Sequence, residues 1–211
     1  MPPLRTIAAA GLMLAAGGPF AAALAAPQVE RLRGTIERVE GDAVTIRTRA
    51  GATETVRLGT GTRVAQLTPA SLDEVKDGSF IGTAAKAGPK PGDPPVALEV
   101  LIFPEALRGA GEGHYPWDRL PDGAASGAVE TSMTNGTVAG APGAGRTLTV
   151  SYKGQSLAVA VPPGTPIVRL EPADRAVLVP GAKVFASAVR EGDRLEARSV
   201  SVGKDGLTPP M

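Results

Sequence analysis

Apolar and polar residues alternate along several short stretches of this chain. In residues 44–49 the order Val-Thr-Ile-Arg-Thr-Arg places apolar side chains on one face and polar side chains on the other, which is typical of a half-buried β-strand. Gly, Pro, Asn and Asp separate these stretches and favour turns between them. The pattern therefore predicts an all-β fold made of short strands.

The strand pattern occurs twice, at a spacing of about 103 residues. Residues 61–69 (GTRVAQLTP) correspond to residues 164–172 (GTPIVRLEP), and RGTI at 33–36 corresponds to NGTV at 135–138. A nearly constant spacing through several segments indicates an internal repeat. We therefore divide the chain into four parts after its leader: a first module at 28–103, an insert at 104–133, a second module at 134–203 and a tail at 204–211.

Each module has the order three strands, one short helical turn and two strands. Ser71, with Glu74 three residues later, is a predicted N-cap for a turn at 71–76, and Asp174 occupies the similar place in 173–178. Gly78 and Gly181 then allow a sharp turn into the fourth strand. This order predicts two tandem OB-like five-stranded barrels joined by a Gly/Pro-rich insert. The structural alternative is a pair of β-sandwich modules.

Residues 1–25 have the features of a secretory signal peptide. Arg5 is followed by an apolar run at 6–16, and Ala23-Leu24-Ala25 fits an A-x-A cleavage site. We expect cleavage after Ala25, with Ala26 as a close alternative, and hence a periplasmic protein with no transmembrane span after cleavage. The competing interpretation is an uncleaved anchor, but the run is short for a bilayer.

The exported part has no net charge and no cysteine. Without Arg5 the chain carries 21 Lys+Arg and 21 Asp+Glu, so nothing in the overall charge attracts nucleic acid or anionic lipid. Arg47, Arg49 and Arg57 could form an outward basic stripe, but we consider nucleic acid an improbable partner. The absence of cysteine excludes disulfides and thiolate metal sites.

The insert at 104–133 differs from both modules. It is acidic and contains the only His and the only Trp of the chain, while residues 123–127 have the composition of a flexible linker. His114 with Glu112 and Asp118 is a weak candidate for a mixed nitrogen and oxygen metal site. The alternative is that His114 and Trp117 pack the insert onto a barrel.

His114, Tyr115 and Trp117 form the best candidate binding surface; the alternative is that the insert simply seals the junction between the two barrels. Such side chains are enriched at binding hot spots, and this chain has few aromatic residues elsewhere. An enzyme is less well supported, because His114 is the only imidazole and no Gly-x-Ser-x-Gly motif is present. We identify no catalytic residues and expect no cofactor.

Several motifs together resemble a proteobacterial family of exported proteins of unknown function. They are GTIERV at 34–39, IFPEA at 102–106, GEGH at 111–114, PWD at 116–118 and MTNGTV at 133–138. Members of that family are sometimes labelled as metal ABC transporter permeases. A permease needs several apolar spans, which this sequence does not contain.

The sequence therefore supports three functional hypotheses. The first is an exported, non-catalytic binding or envelope-scaffold protein whose partner is a protein, peptide or glycan. The second is a weak metal-binding accessory protein that uses His114 and nearby carboxylates. The third is an enzyme of unknown class.

Overall fold

A computed structural model describes residues 29–121, 128–140 and 146–210. The predicted signal peptide, its cleavage site, the linker stretch at 123–127 and Met211 lie outside these ranges. The described residues form thirteen strands: β1 Val29–Glu40, β2 Ala43–Thr48, β3 Thr53–Pro69, β4 Phe80–Lys86, β5 Val96–Ala97, β6 Val100–Ile102, β7 Gly113–Pro121, β8 Ala128–Val138, β9 Thr147–Tyr152, β10 Gln155–Ala160, β11 Ile167–Pro172, β12 Lys183–Glu191 and β13 Arg194–Gly203.

Five of these strands close into a barrel, which we call the first barrel. β1, β2 and β3 pair in antiparallel succession, β13 pairs in parallel with β3, and β12 joins β13 to β1. A parallel contact between the third and fifth strands is the topology expected of an OB-like barrel. The all-β prediction with a five-stranded barrel is thus confirmed, and closure through β3 and β13 distinguishes it from a sandwich.

A second ring of strands repeats this order, and we call it the second barrel. β8, β9 and β10 pair in succession, β4 pairs with both β5 and β8, and a parallel contact between Ala160 and Val96 closes the ring. Next to this contact, β11 pairs in parallel with β6. The strands therefore follow the same order around each of the two barrels.

Each barrel combines strands from both halves of the chain. The first barrel takes three strands from residues 29–69 and two from 183–203, while the second takes three from 128–160 and two from 80–97. The modules predicted at 28–103 and 134–203 follow the sequence repeat, whereas the barrels do not coincide with those segments. The reason is that β3 runs past the first barrel and pairs with β11, the strand that follows β10 of the second barrel. Each of these two strands carries the chain across to the opposite barrel.

Three apolar clusters fill the barrels and the junction between them. One cluster occupies the first barrel around Ile46, Val56 and Val200, and another occupies the second barrel around Ile81 and Val150. The third lies at the junction of β3 and β11 and consists of Ala65, Leu67, Val168 and Leu170. Burial of these side chains is the main force that holds the strands together.

The predicted turns are confirmed. Short 3₁₀ helices occupy Leu72–Glu74 and Arg175–Val177, and the Ser71 amide donates to Glu74 Oε1 at 2.7 Å. That bond lowers the pKa of Glu74. Gly78 and Gly181 have φ angles of 78° and 88°, a region that glycine adopts readily.

The described residues of the insert and of the tail form regular structure and contacts with the barrels. The insert contains a 3₁₀ helix at Glu105–Leu107, strand β7 and the beginning of β8, and β7 pairs antiparallel with β8 as a hairpin. In the tail, Pro209 is buried and its carbonyl accepts a hydrogen bond from Arg49 at 2.9 Å. The described residues of both segments are therefore packed parts of the structure.

Within the part of the chain that the structure describes, no helix is long and apolar enough to cross a membrane.

Candidate functional site

A groove of about 580 Å³ lies at the junction of the two barrels. Its floor is formed by the junction cluster, with Ala65 and Leu67 from β3 and Val168 and Leu170 from β11. Leu101, Phe103 and Leu107 continue this apolar surface. The groove therefore exists because β3 runs on beyond the first barrel and meets β11.

The hairpin of β7 and β8 forms one wall of the groove. Side chains alternate between the two faces of a strand, so Tyr115 and Trp117 of β7 project to the same side, and Met133 of β8 lies beside them. The opposite wall is the outer surface of β1, β12 and β13 in the first barrel. The segment predicted as an insert thus supplies a whole wall of the cavity.

Aromatic rings are concentrated in this groove. Phe103, Tyr115, Trp117 and Phe185 line it, which is four of the seven aromatic residues in the chain. The Trp117 ring lies 6.2 Å from the Tyr115 ring and 6.4 Å from the Phe185 ring, measured between centroids. Aromatic walls of this kind are typical of pockets that bind small molecules.

Two arginines of β1 attach the hairpin to the first barrel. The Arg33 guanidinium donates to Asp118 at 2.5 Å, and Arg31 makes a longer contact of 3.5 Å with the other oxygen. The Arg31 guanidinium also lies 3.8 Å above the Trp117 ring, a cation–π contact. Burial lowers the pKa of Arg33, and the carboxylate of Asp118 opposes that effect.

A row of polar side chains crosses the outer wall of the first barrel. Arg31 on β1 pairs with Ser187 on β12, Ser187 pairs with Ser199 on β13, and Ser199 pairs with Arg63 on β3. All four residues line the groove. The barrel wall therefore presents two hydroxyl groups flanked by two guanidinium groups, directly beside an apolar floor.

Two buried polar atoms beside the groove have incomplete hydrogen bonding. Trp117 Nε1 and Asn135 Oδ1 have no hydrogen-bond partner among the described residues, although buried polar groups are ordinarily bonded. The Asn135 amide group donates instead to the Tyr115 hydroxyl at 3.3 Å and to the Ala110 carbonyl at 3.2 Å. Burial raises the pKa of the Tyr115 phenol, so it remains a neutral hydrogen-bonding group.

The predicted binding residues separate onto two faces of β7. Tyr115 and Trp117 line the groove, but His114 does not. The exposed His114 ring instead stacks on Tyr152 with 6.0 Å between centroids, and its Nδ1 lies 2.8 Å from Thr134 Oγ1. The structure therefore brings Tyr115 and Trp117 together in the groove. His114 lines a smaller cleft, which Tyr115, Lys153 and Gln155 also line.

The three candidate metal ligands also have separate partners. Glu112 Oε1 accepts a hydrogen bond from the Lys153 amide at 2.8 Å, and Asp118 pairs with Arg31 and Arg33. In the described ranges, no group of three His, Cys, Asp or Glu side chains is close enough to hold a metal ion. The geometry thus gives no support to a combined site of His114, Glu112 and Asp118.

Sequence reasoning did not identify the groove residues that belong to the barrels. These residues come from four different strands and meet only through strand pairing: Arg31, Arg63, Phe185, Ser187 and Ser199. For the arginines and serines of this set, the available signal was their alternation with apolar residues along each strand. That signal marks an outer face but does not show which outer faces meet.

Comparison with known proteins identifies no relative: no family model, no curated protein and no solved structure matches this chain.

Proposed function

We propose that this protein is an exported, non-catalytic binding protein whose ligand occupies the groove between the barrels. The single observation that carries the proposal is the convergence of four aromatic rings on a groove of about 580 Å³. That volume lies within the range of about 300–1,000 Å³ found for small-molecule sites.

A binding role agrees better with the groove chemistry than catalysis does. The serines that line the groove are Ser187, Ser199 and Ser201, and the only histidine of the chain is not among the lining residues. Acyl-transfer catalysis by a serine requires an adjacent general base. The cell-envelope location of this function rests on the signal peptide predicted at 1–25.

Titration with the neutral apolar dye N-phenylnaphthylamine tests the binding proposal. The dye fluoresces in apolar surroundings, so we expect saturable binding to the folded protein and loss of that binding in Ser199→Phe, which places a ring on the groove wall. Ser156→Phe is the matched control, because Ser156 is exposed on β10 and does not line the groove. Absence of saturable binding, or equal binding by both variants, would contradict the proposal.

Cell fractionation tests the export proposal. We expect the protein in the periplasmic fraction with an amino terminus at Ala26 or Pro27, which corresponds to cleavage after Ala25 or Ala26. Recovery of uncleaved protein from the cytoplasmic fraction would contradict it. The result is independent of the dye titration, which concerns the groove alone.

A further inference from the structure

We propose that the groove binds a single-chain amphiphile with one anionic head group, with the head held by Arg31 and Arg63 and the chain on the apolar floor. This inference rests on the proposed binding function and adds the chemical class of the ligand.

The floor and the hairpin wall fit the apolar part of such a molecule. Leu67, Leu101, Leu107 and Leu170 present aliphatic surface, and Phe103 adds a ring. None of these side chains can form hydrogen bonds, so a polar group placed against them would lose its hydrogen bonds to water without replacement. This part of the groove therefore favours an apolar ligand group. A ligand that fills it gains the free energy of removing apolar surface from water.

The polar row on the barrel wall fits an anionic head group. The row crosses four adjacent strands in the order Arg31, Ser187, Ser199 and Arg63. Neighbouring strands lie about 4.8 Å apart, so the Cα atoms of the two arginines are separated by roughly 14 Å along the row. Two long, flexible guanidinium side chains can therefore turn inward over the serine hydroxyls, which supply further donors to a carboxylate or sulfate.

The local charges leave these two arginines without full compensation. Asp118 makes its short contact with Arg33 rather than with Arg31, and the charge of Glu99 also acts on Arg33. Arg63 is exposed, and its side chain has no ion pair or hydrogen bond with the other described residues. Among the charged residues that line the groove, Arg31 and Arg63 are cationic and Glu99 is anionic. The lining therefore carries a formal surplus of one positive charge beside apolar surface, and the complementary ligand is anionic at one end and apolar along the rest.

A series of amphiphiles with one chain length tests the charge of the head group. Decanoate, decanol and decyltrimethylammonium, each below its micelle concentration, are titrated while the fluorescence of Trp117 is recorded, since Trp117 is the only tryptophan and lies in the groove wall. We expect decanoate to bind at least about tenfold more tightly than decanol, since hydrogen bonds to a charged group are stronger than those to a neutral one. We expect the cationic analogue to bind more weakly than decanol.

Arginine variants locate the head group. Arg63→Gln is expected to weaken decanoate binding about tenfold and to leave decanol binding unchanged, and it should fold normally because Arg63 is exposed and unpaired among the described residues. Arg31→Gln tests the other end of the row. Arg57→Gln is the matched control, since Arg57 is an exposed arginine of the same strand, β3, outside the groove.

The outcomes separate this inference from the proposed function. Equal binding of decanoate and decanol, together with saturable binding of the neutral dye, would overturn the anionic head group and leave the groove as a binding site. Failure of the dye and of all three amphiphiles would overturn both proposals. Selective decanoate binding that Arg57→Gln weakens as much as Arg63→Gln does would overturn the assignment to this row.

Discussion

Leu67 and Leu170 lie directly opposite each other in the antiparallel pair of β3 and β11. They occupy corresponding positions in the two predicted modules, so the two modules meet at equivalent residues. The hydrogen bonds around them follow the same rule: the Ala70 amide donates to the Ile167 carbonyl at 2.9 Å, and the Ala173 amide donates to the Val64 carbonyl at 3.0 Å. The junction is therefore a local twofold arrangement, from which strands pass to both barrels.

Replacement of Leu67 or Leu170 is expected to destabilise both barrels together. Both side chains are more than nine-tenths buried, and truncation of a buried leucine to alanine costs roughly 2–4 kcal/mol. Since β3 and β11 pair at the junction and each barrel takes strands from both halves of the chain, we expect Leu67→Ala to lower the stability of one cooperative transition in denaturant. Val179→Ala is the control, because Val179 is half exposed and should change stability by less than about 0.5 kcal/mol. Two separate transitions, of which only one shifts, would contradict this expectation.

Cleavage of the chain between β7 and β8 should give two fragments that fold stably only when they are mixed. Residues 29–121 and 128–210 each contribute strands to both barrels, so neither fragment alone can close either barrel. We expect an equimolar mixture to give a one-to-one complex with a cooperative melting transition, measured by circular dichroism and gel filtration.

A fragment of residues 29–121 that carries Leu67→Asp serves as the control and should fail to form that complex, since a carboxylate would lie in the buried junction. The exchanged pairing would be refuted if each unmodified fragment were a monomer that melted as cooperatively as the intact chain.

Alanine at Gly34 or Gly136 should be strongly destabilising. A Cβ atom at Gly34 would lie 1.9 Å from the Arg47 carbonyl oxygen, and one at Gly136 would lie 2.3 Å from that of Ser151. Because both neighbours are backbone atoms, the strands would have to separate, and we expect a loss of about 2–3 kcal/mol at each site. Gly61→Ala is the matched control, since a Cβ there has nothing within 4 Å. A similar loss of stability for all three variants, in chemical denaturation, would argue against this close approach.

Loss of the Asp118 carboxylate should loosen the hairpin wall of the groove. In Asp118→Ala the partly buried Arg33 loses its short ion pair, and we expect destabilisation of about 1–3 kcal/mol together with a shift of Trp117 emission toward longer wavelength. Glu130→Ala removes the other ion pair of the same hairpin, with Arg119, in which both side chains are 71% exposed. An exposed pair contributes little, so equal effects of the two substitutions on denaturation and emission would contradict the proposed role of Asp118.

The sequence by itself determined the local structure of this protein. Alternating side chains predicted the strands, the residues RGTI at 33–36 and NGTV at 135–138 marked the internal repeat, and Ser71 and Asp174 begin the two short helices. It also directed attention to Tyr115 and Trp117, because they are rare aromatic residues in an unrepeated segment. These features depend on the period of the strand and on local backbone sterics, which neighbouring residues specify.

Only the tertiary structure decided which strands share a barrel and where the groove lies. Two similar modules present the same apolar faces, so the hydrophobic pattern alone is satisfied whether strands pair within a module or between modules. The pairing of β3 with β11 accompanies an exchange of strands between the modules. Through that exchange, Arg63 of the first module pairs with Ser199 of the second. His114 shows the same limit, because its neighbour Tyr115 faces the groove while His114 itself does not. A strand turns successive side chains to opposite faces, but only packing decides what each face meets.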